Sequence, residues 1–115
     1  MTNTASIIGR VVQDARYTTA SNGAGVASFA VAVNDRRVNR ETGELHEYVS
    51  FIDCVMFGKR ADSLHPYLTK GKLVSVSGPL RQARWMTDDG RRRSRVSLVA
   101  NQVDLLSPKR QEVTA

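Results

Sequence analysis

Ser50-Phe51-Ile52-Asp53-Cys54-Val55-Met56-Phe57-Gly58-Lys59 reads as a β-strand with no polar stripe. Side chains alternate along a strand, so Ile52, Cys54 and Met56 share one face and Phe51, Asp53, Val55 and Phe57 the other. Two apolar faces need two covers. The first is met by the core of a small domain; the second needs another layer, another subunit or a ligand. Phe51 and Phe57 stand about 20 Å apart at roughly 3.3 Å per residue. That span suits several stacked bases of an extended nucleic acid strand better than one small molecule. Rings buried in a sandwich or an oligomer interface would account for this strand equally well.

The remainder of the chain also reads as β. Ser6 to Val12 is a first strand, with Gly9 as a bulge or bend. Asn22-Gly23 is a hairpin signal, and Val26 to Val33 is a second strand with Phe29, Val31 and Val33 on one face. Residues 34–47 are polar and charged, with Thr42-Gly43 as their turn. Ala61, Leu64 and Leu68 recur at helical spacing between Lys59 and Lys70; Pro66 limits that helix to a short or kinked one, and Gly71 ends it. Leu73 to Gly78 is a fourth strand. Leu80 to Met86 and Arg91 to Ser97 form a hairpin with Asp89-Gly90 at its tip, and Leu98 to Leu106 is the last strand. Three strands, a short helix and two more strands is the order of an OB-fold. The expected fold class is therefore all-β: a five-stranded Greek-key barrel with one short helix between strands three and four. At 115 residues the chain holds one domain, expected over residues 1–107, with a short flexible tail over 108–115.

Charge points to a polyanion. The net charge is +6, and 13 of the 17 basic residues are arginines, the side chain best suited to phosphate and flat rings. Six of those arginines, at 81, 84, 91, 92, 93 and 95, lie in the hairpin opposed only by Asp88 and Asp89. Trp85, the sole tryptophan, sits among them. A ring that stacks on any base, flanked by guanidinium groups that hold phosphate, is what binding a single strand requires. A core tryptophan under a solvated hairpin is the competing reading, but a projecting hairpin offers little core.

Other classes are poorly supported. His46 and His65 have no partner at metal-ligand spacing, no phosphate-cradling glycine loop appears, and no cofactor is expected. Cys54, the only cysteine, lies in the strand's apolar register and is read as packed. The protein is read as no enzyme. Without a signal peptide or an apolar run of membrane length, the expected location is cytoplasmic, with no membrane partner.

Ile8-Gly9-Arg10-Val11, Val26 to Ala32, Thr42-Gly43-Glu44, Val55 to Lys59, Tyr67 to Gly71 and Gly78 to Trp85 together resemble the DNA-binding domain of bacterial single-stranded DNA-binding proteins, in order and spacing across about residues 5–106. The resemblance implies an OB-fold homotetramer that binds and protects single-stranded DNA without sequence preference in replication, recombination and repair. It implies base stacking at Phe51, Phe57 and Trp85. It also implies basic contacts at Lys59, Lys70 and the hairpin arginines, Arg81, Arg84, Arg91 and Arg93 among them. Arg37 stands where many members carry an aromatic, and a guanidinium plane also stacks on a base. Asp53 stands on the expected ligand face where related chains often place a basic residue; a carboxylate there opposes phosphate unless Arg37 or a neighbour neutralises it. The acidic tip that ends longer members is absent, so tail-mediated protein partners are not expected. A primosome-type accessory protein and an RNA-binding OB module are the alternatives.

Overall fold

The structure, a computed structural model, describes residues 1–106; the expected tail of residues 108–115 lies outside the described residues. Eight strands are present among them: β1 (Ala5–Val11), β2 (Arg16–Thr19), β3 (Gly25–Val38), β4 (Leu45–Phe57), β5 (Leu73–Gly78), β6 (Leu80–Met86), β7 (Arg92–Val99) and β8 (Gln102–Leu105). One short helix, α1 (Lys59–Leu64), runs into a 3-10 turn at His65–Tyr67. Pro66 occupies the first turn of that 3-10 segment, where a missing N–H costs nothing. The expected short helix is therefore present between the third and fourth barrel strands, but it ends at Tyr67 rather than at Gly71.

Five barrel strands and two hairpin arms were expected, and eight strands are found. Gly78-Pro79 separates β5 from the first hairpin arm, β6, as expected. A Cβ on Gly78 would lie 1.8 Å from the Val99 carbonyl oxygen, so only glycine lets the end of β5 approach β7 there. The second hairpin arm and the last strand meet later than expected: β7 runs on to Val99, the break falls at Ala100-Asn101, and the last strand, β8, starts at Gln102 rather than at Leu98. The short β2, Arg-Tyr-Thr-Thr, was not expected; it pairs with β3 from Arg16↔Ser28 to Thr19↔Gly25. It is exposed on both faces and so carries no apolar alternation.

Strand order is β6-β7-β4-β3-β1-β5-β8, with β2 alongside β3. This path is an open sheet, yet its two limbs are successive halves of one chain segment. β7 pairs in parallel with β4 at Cys54↔Leu98 and Val55↔Val99, and β8 pairs with β5. Between them the Ala100 amide donates to Val55 and the Asn101 amide to Ser77, at 2.8 and 2.9 Å. The result is a partly open OB barrel bridged by its own last strand. Gly9 allows β1 to cross β3 closely: a Cβ there would lie 2.2 Å from the Ala32 carbonyl oxygen.

The core fills the barrel interior. Phe29, Val31, Cys54, Met56, Val74, Val76 and Leu98 meet there, and Ala61 and Leu68 close one end from the helical segment. The organising strand buries Cys54 and Met56 and half-buries Ile52, while Phe51, Asp53 and Phe57 stay exposed. Its two faces thus divide as the alternation requires.

The largest departure is at residues 34–47. Residues 34–38 and 45–47 extend the β3–β4 ladder to Val38↔Leu45, so that only 39–44 remain as the expected turn around Thr42-Gly43. Cross-strand charge supports it, as in the Arg36–Glu47 ion pair at 3.1 Å. Neither face of this arm is buried, so hydrophobic alternation could not report it.

Candidate nucleic-acid interface

The ladders decide which side chains share a surface. On β4, Phe51, Asp53, Val55 and Phe57 lie opposite Ala32, Ala30, Ser28 and Val26 of β3. These β3 side chains are small, so the rings rise from a low floor. The parallel β4–β7 pairing places Leu98 with Cys54 on the core face. Alternation then places Arg93, Arg95 and Ser97 on the face of Phe51 and Phe57. The hairpin ladder carries this face outward, with Arg81 opposite Ser97, Ala83 opposite Arg95 and Trp85 opposite Arg93. Two contacts agree with this register. The Arg81 guanidinium lies 5.8 Å from the Phe57 ring centroid. Asp53 faces Arg95 at 3.8 Å.

One continuous surface therefore carries three exposed aromatic rings, Phe51 at 65%, Phe57 at 45% and Trp85 at 45%. Rings of this size left wet on one face make it the candidate binding surface. Arg81, Arg93 and Arg95 stand among them, and Arg93 makes no ion pair among the described residues.

The other expected site residues are placed differently. Arg84 points to the reverse of the hairpin with Gln82 and Met86, and donates to Gln82 at 3.1 Å. Arg91 lies beside the hairpin tip, where Asp89 holds it at 3.4 Å. The Thr87 hydroxyl donates to Asp89 and, with the Arg91 amide, pulls its carboxyl below the usual value. Arg37 is opposite His46 on the arm, in the register of Phe29 and Val31 rather than of Phe51, and pairs with Asp35 at 3.4 Å. Of the two partners expected for Asp53, Arg37 or a basic neighbour, the neighbour is found: Arg95, since strand β7 and not the arm lies beside Asp53. Lys59 opens α1 two residues after Phe57. Lys70 lies in the turn before β5, its backbone amide donating to Asp14 at 2.9 Å.

Arg95 is the residue that the sequence reading counted but did not select. Its spacing of two from Arg93 was the available signal. Cys54 lies beneath this face: burial first, then the Asp53 charge, pushes its thiol up to about 12. It stays protonated at neutral pH and is chemically inert. Among the described residues no group of His, Cys, Asp or Glu could hold a metal ion.

The model of the single-strand binding protein family matches residues 2–106. The chain belongs to that family. It is 37% identical over 109 residues to single-stranded DNA-binding protein 1 of Staphylococcus aureus strain COL, covering 95% of this chain and 64% of that one. With the single-stranded DNA-binding protein of Treponema pallidum it shares 39% over 100 residues, covering 87% of this chain and 55% of that one. The chain thus spans between half and two thirds of the length of these relatives. A Plasmodium falciparum SSB solved in complex with single-stranded DNA superposes with a TM-score of 0.81 at 28% identity, covering 92% of this chain and 94% of that one. The family resemblance read from the motifs is therefore correct, and the open barrel is the OB-fold of the single-strand binding proteins.

Proposed function

We propose that this chain binds and protects single-stranded DNA with little dependence on sequence, and catalyses no reaction. The observation that supports the reading best is the shared register of Phe51, Phe57 and Trp85 with Arg81, Arg93 and Arg95. Exposed rings stack on bases of any identity, worth about 1–3 kcal/mol per base, and guanidinium groups neutralise the backbone. Lys59, Lys70 and Arg91 extend this basic perimeter to phosphates beyond the rings; Arg37 and Arg84 lie on the opposite register and take no part in it. Base rings of a duplex are already stacked on each other, so only a single strand can use this face. Replication, recombination and repair are the processes that expose such strands, and the proposed setting is the cytoplasm at the nucleoid. No helix among the described residues is long and apolar enough to cross a membrane. A gel-shift competition among oligo-dT, its RNA counterpart and a duplex of equal length tests the reading. Oligo-dT is expected to compete best; equal competition by the duplex would contradict it.

The proposed assembly is a homotetramer built from dimers. Ile8 on β1 is 57% exposed, and Val96, Leu80 and Leu105 are exposed as well. A small barrel gains stability by covering such residues with further copies. Sedimentation at micromolar concentration is expected to give four chains; a monomer would contradict it.

Asp53 tunes the interface. Its pairing with Arg95 is loose and exposed, so it adds little stability, but the carboxylate occupies a cation and repels phosphate. Asp53→Asn is expected to tighten oligo-dT binding, most at low salt. The slope of log K against log salt should steepen by about 0.7, one more phosphate neutralised by the released Arg95. Titrations at three salt concentrations check this, and unchanged or weaker binding would remove Asp53 from the interface.

A further inference from the structure

At the end of β4 the proposed DNA face opens into a hollow. A cavity of about 440 Å³ is lined by Phe57, Arg60, Val99, Ala100 and Asn101. Its volume falls in the range of small-ligand clefts, roughly 300–1,000 Å³. Phe57 is the last residue of β4, Arg60 lies in the first turn of α1, and Val99 to Asn101 carry the chain from β7 to β8. Gly58 turns the chain between strand and helix with φ 74°, a conformation that favours glycine, and so brings Phe57 and Arg60 to one cavity. Arg81 stands over the Phe57 ring but does not line the cavity, which therefore meets a part of the ring that Arg81 leaves open.

The lining has one sign of charge. No carboxylate contributes to it. Arg60 is exposed, and its side chain makes no ion pair or hydrogen bond among the described residues. The carboxylate of α1, Asp62, accepts from the Tyr17 hydroxyl, and residues two apart on a helix do not face each other. Asn101 is exposed too; its backbone amide donates to Ser77, and its side chain has no partner among the described residues. A side-chain amide both donates and accepts, so it meets the edge of any base. An unopposed guanidinium suits an anion, and the Phe57 ring with Val99 and Ala100 suits a flat apolar body. One nucleotide of a single strand carries both, a base and a phosphate joined by a short sugar link.

We propose that this cavity is a nucleotide subsite at the end of the DNA path, in which Arg60 holds the phosphate of the nucleotide stacked on Phe57. The inference rests on the single-strand reading above and adds where the strand leaves the sheet: past Phe57 toward α1. It assigns this phosphate to Arg60 and not to Lys59, which does not line the cavity.

The test is a double-mutant cycle on Phe57→Ala and Arg60→Gln, read by anisotropy of labelled oligo-dT at three salt concentrations. Arg60→Gln is expected to weaken binding by about threefold or more at low salt, as for a charge-assisted contact at an exposed site. The slope of log K against log salt should become shallower by about 0.7, one phosphate no longer neutralised. Arg60→Lys keeps the charge and should restore the slope. In the Phe57→Ala background nothing seats the nucleotide, so the further loss from Arg60→Gln should be smaller than in wild type. Arg84→Gln, on the reverse of the hairpin, controls for charge at a distance: any loss that it causes should multiply with that of Phe57→Ala. Arg60 is exposed, and melting temperatures near wild type should confirm that its variants fold. An Arg60→Gln variant with unchanged affinity and slope, or a loss that multiplies fully with that of Phe57→Ala, would overturn the subsite and leave the single-strand reading standing. Wild type that binds no oligo-dT would overturn both.

Discussion

Trp85→Ala and Phe57→Ala are each expected to weaken oligo-dT binding by about 1–3 kcal/mol while leaving the fold intact. Each ring is 45% exposed and neither belongs to the core cluster. Truncation therefore removes a stacking platform without opening a cavity. The two effects should not be equal. Trp85 offers the larger ring, on a hairpin whose cross-strand neighbour Arg93 can hold the phosphate of the stacked nucleotide. Phe57 already carries the Arg81 guanidinium over its ring, a contact worth about 0.5–1 kcal/mol at an exposed site. Removing Phe57 releases Arg81 to meet a phosphate, which recovers part of the loss. Phe57→Ala is thus expected to be the milder variant, with a steeper salt dependence than wild type. Labelled-strand anisotropy is the suitable readout, because Trp85 is the only tryptophan and its variant has no indole signal. Melting temperatures within a few degrees of wild type should accompany the loss of affinity. Unfolding by Phe57→Ala, with unchanged binding by what remains folded, would return that ring to a structural role.

Leu98→Ala is expected to lower stability by about 2–5 kcal/mol, a large part of the 5–15 kcal/mol that holds a typical domain. Leu98 is fully buried. It is also where the arginine hairpin joins the barrel, pairing with Cys54 on one side and Leu80 on the other. A cavity there weakens the core and loosens the seat of β6 and β7 together. Urea denaturation at fixed protein concentration measures the effect, since the proposed assembly would make apparent stability depend on concentration. A loss below about 1 kcal/mol would mean that the site collapses without cost, and that the hairpin is held elsewhere.

The sequence carried the faces of the central strand plainly, because Cys54 and Met56 alternate with Asp53 and Phe57 and one of those faces is buried. Ala61 and Leu68 marked the helix for the same reason. The arm from Asn34 to Glu47 was hidden because strand periodicity is visible only where one face leaves water, and this ladder is wet on both. β2 was hidden likewise. The site was legible in its residue types, since Trp85 among arginines needs no coordinates to be noticed. Its geometry was not. Whether Arg84 or Arg95 joins the rings depends on the β4–β7 parallel register, a long-range pairing with no local signature. Arg37 shows the limit of carrying a family position onto a chain: its register and its partner Asp35 follow from the arm's own ladder.

Trp85 lies on the surface proposed to stack single-stranded bases among arginines. Its own fluorescence, titrated with oligo-dT at low and high salt beside a duplex of equal length, tests this most directly. Saturable quenching by oligo-dT is expected, with log K falling linearly in log salt by about 0.7 per neutralised phosphate, and no comparable quenching by the duplex. An indole signal that stays unchanged on adding oligo-dT at low salt, in protein shown to be folded, would contradict it.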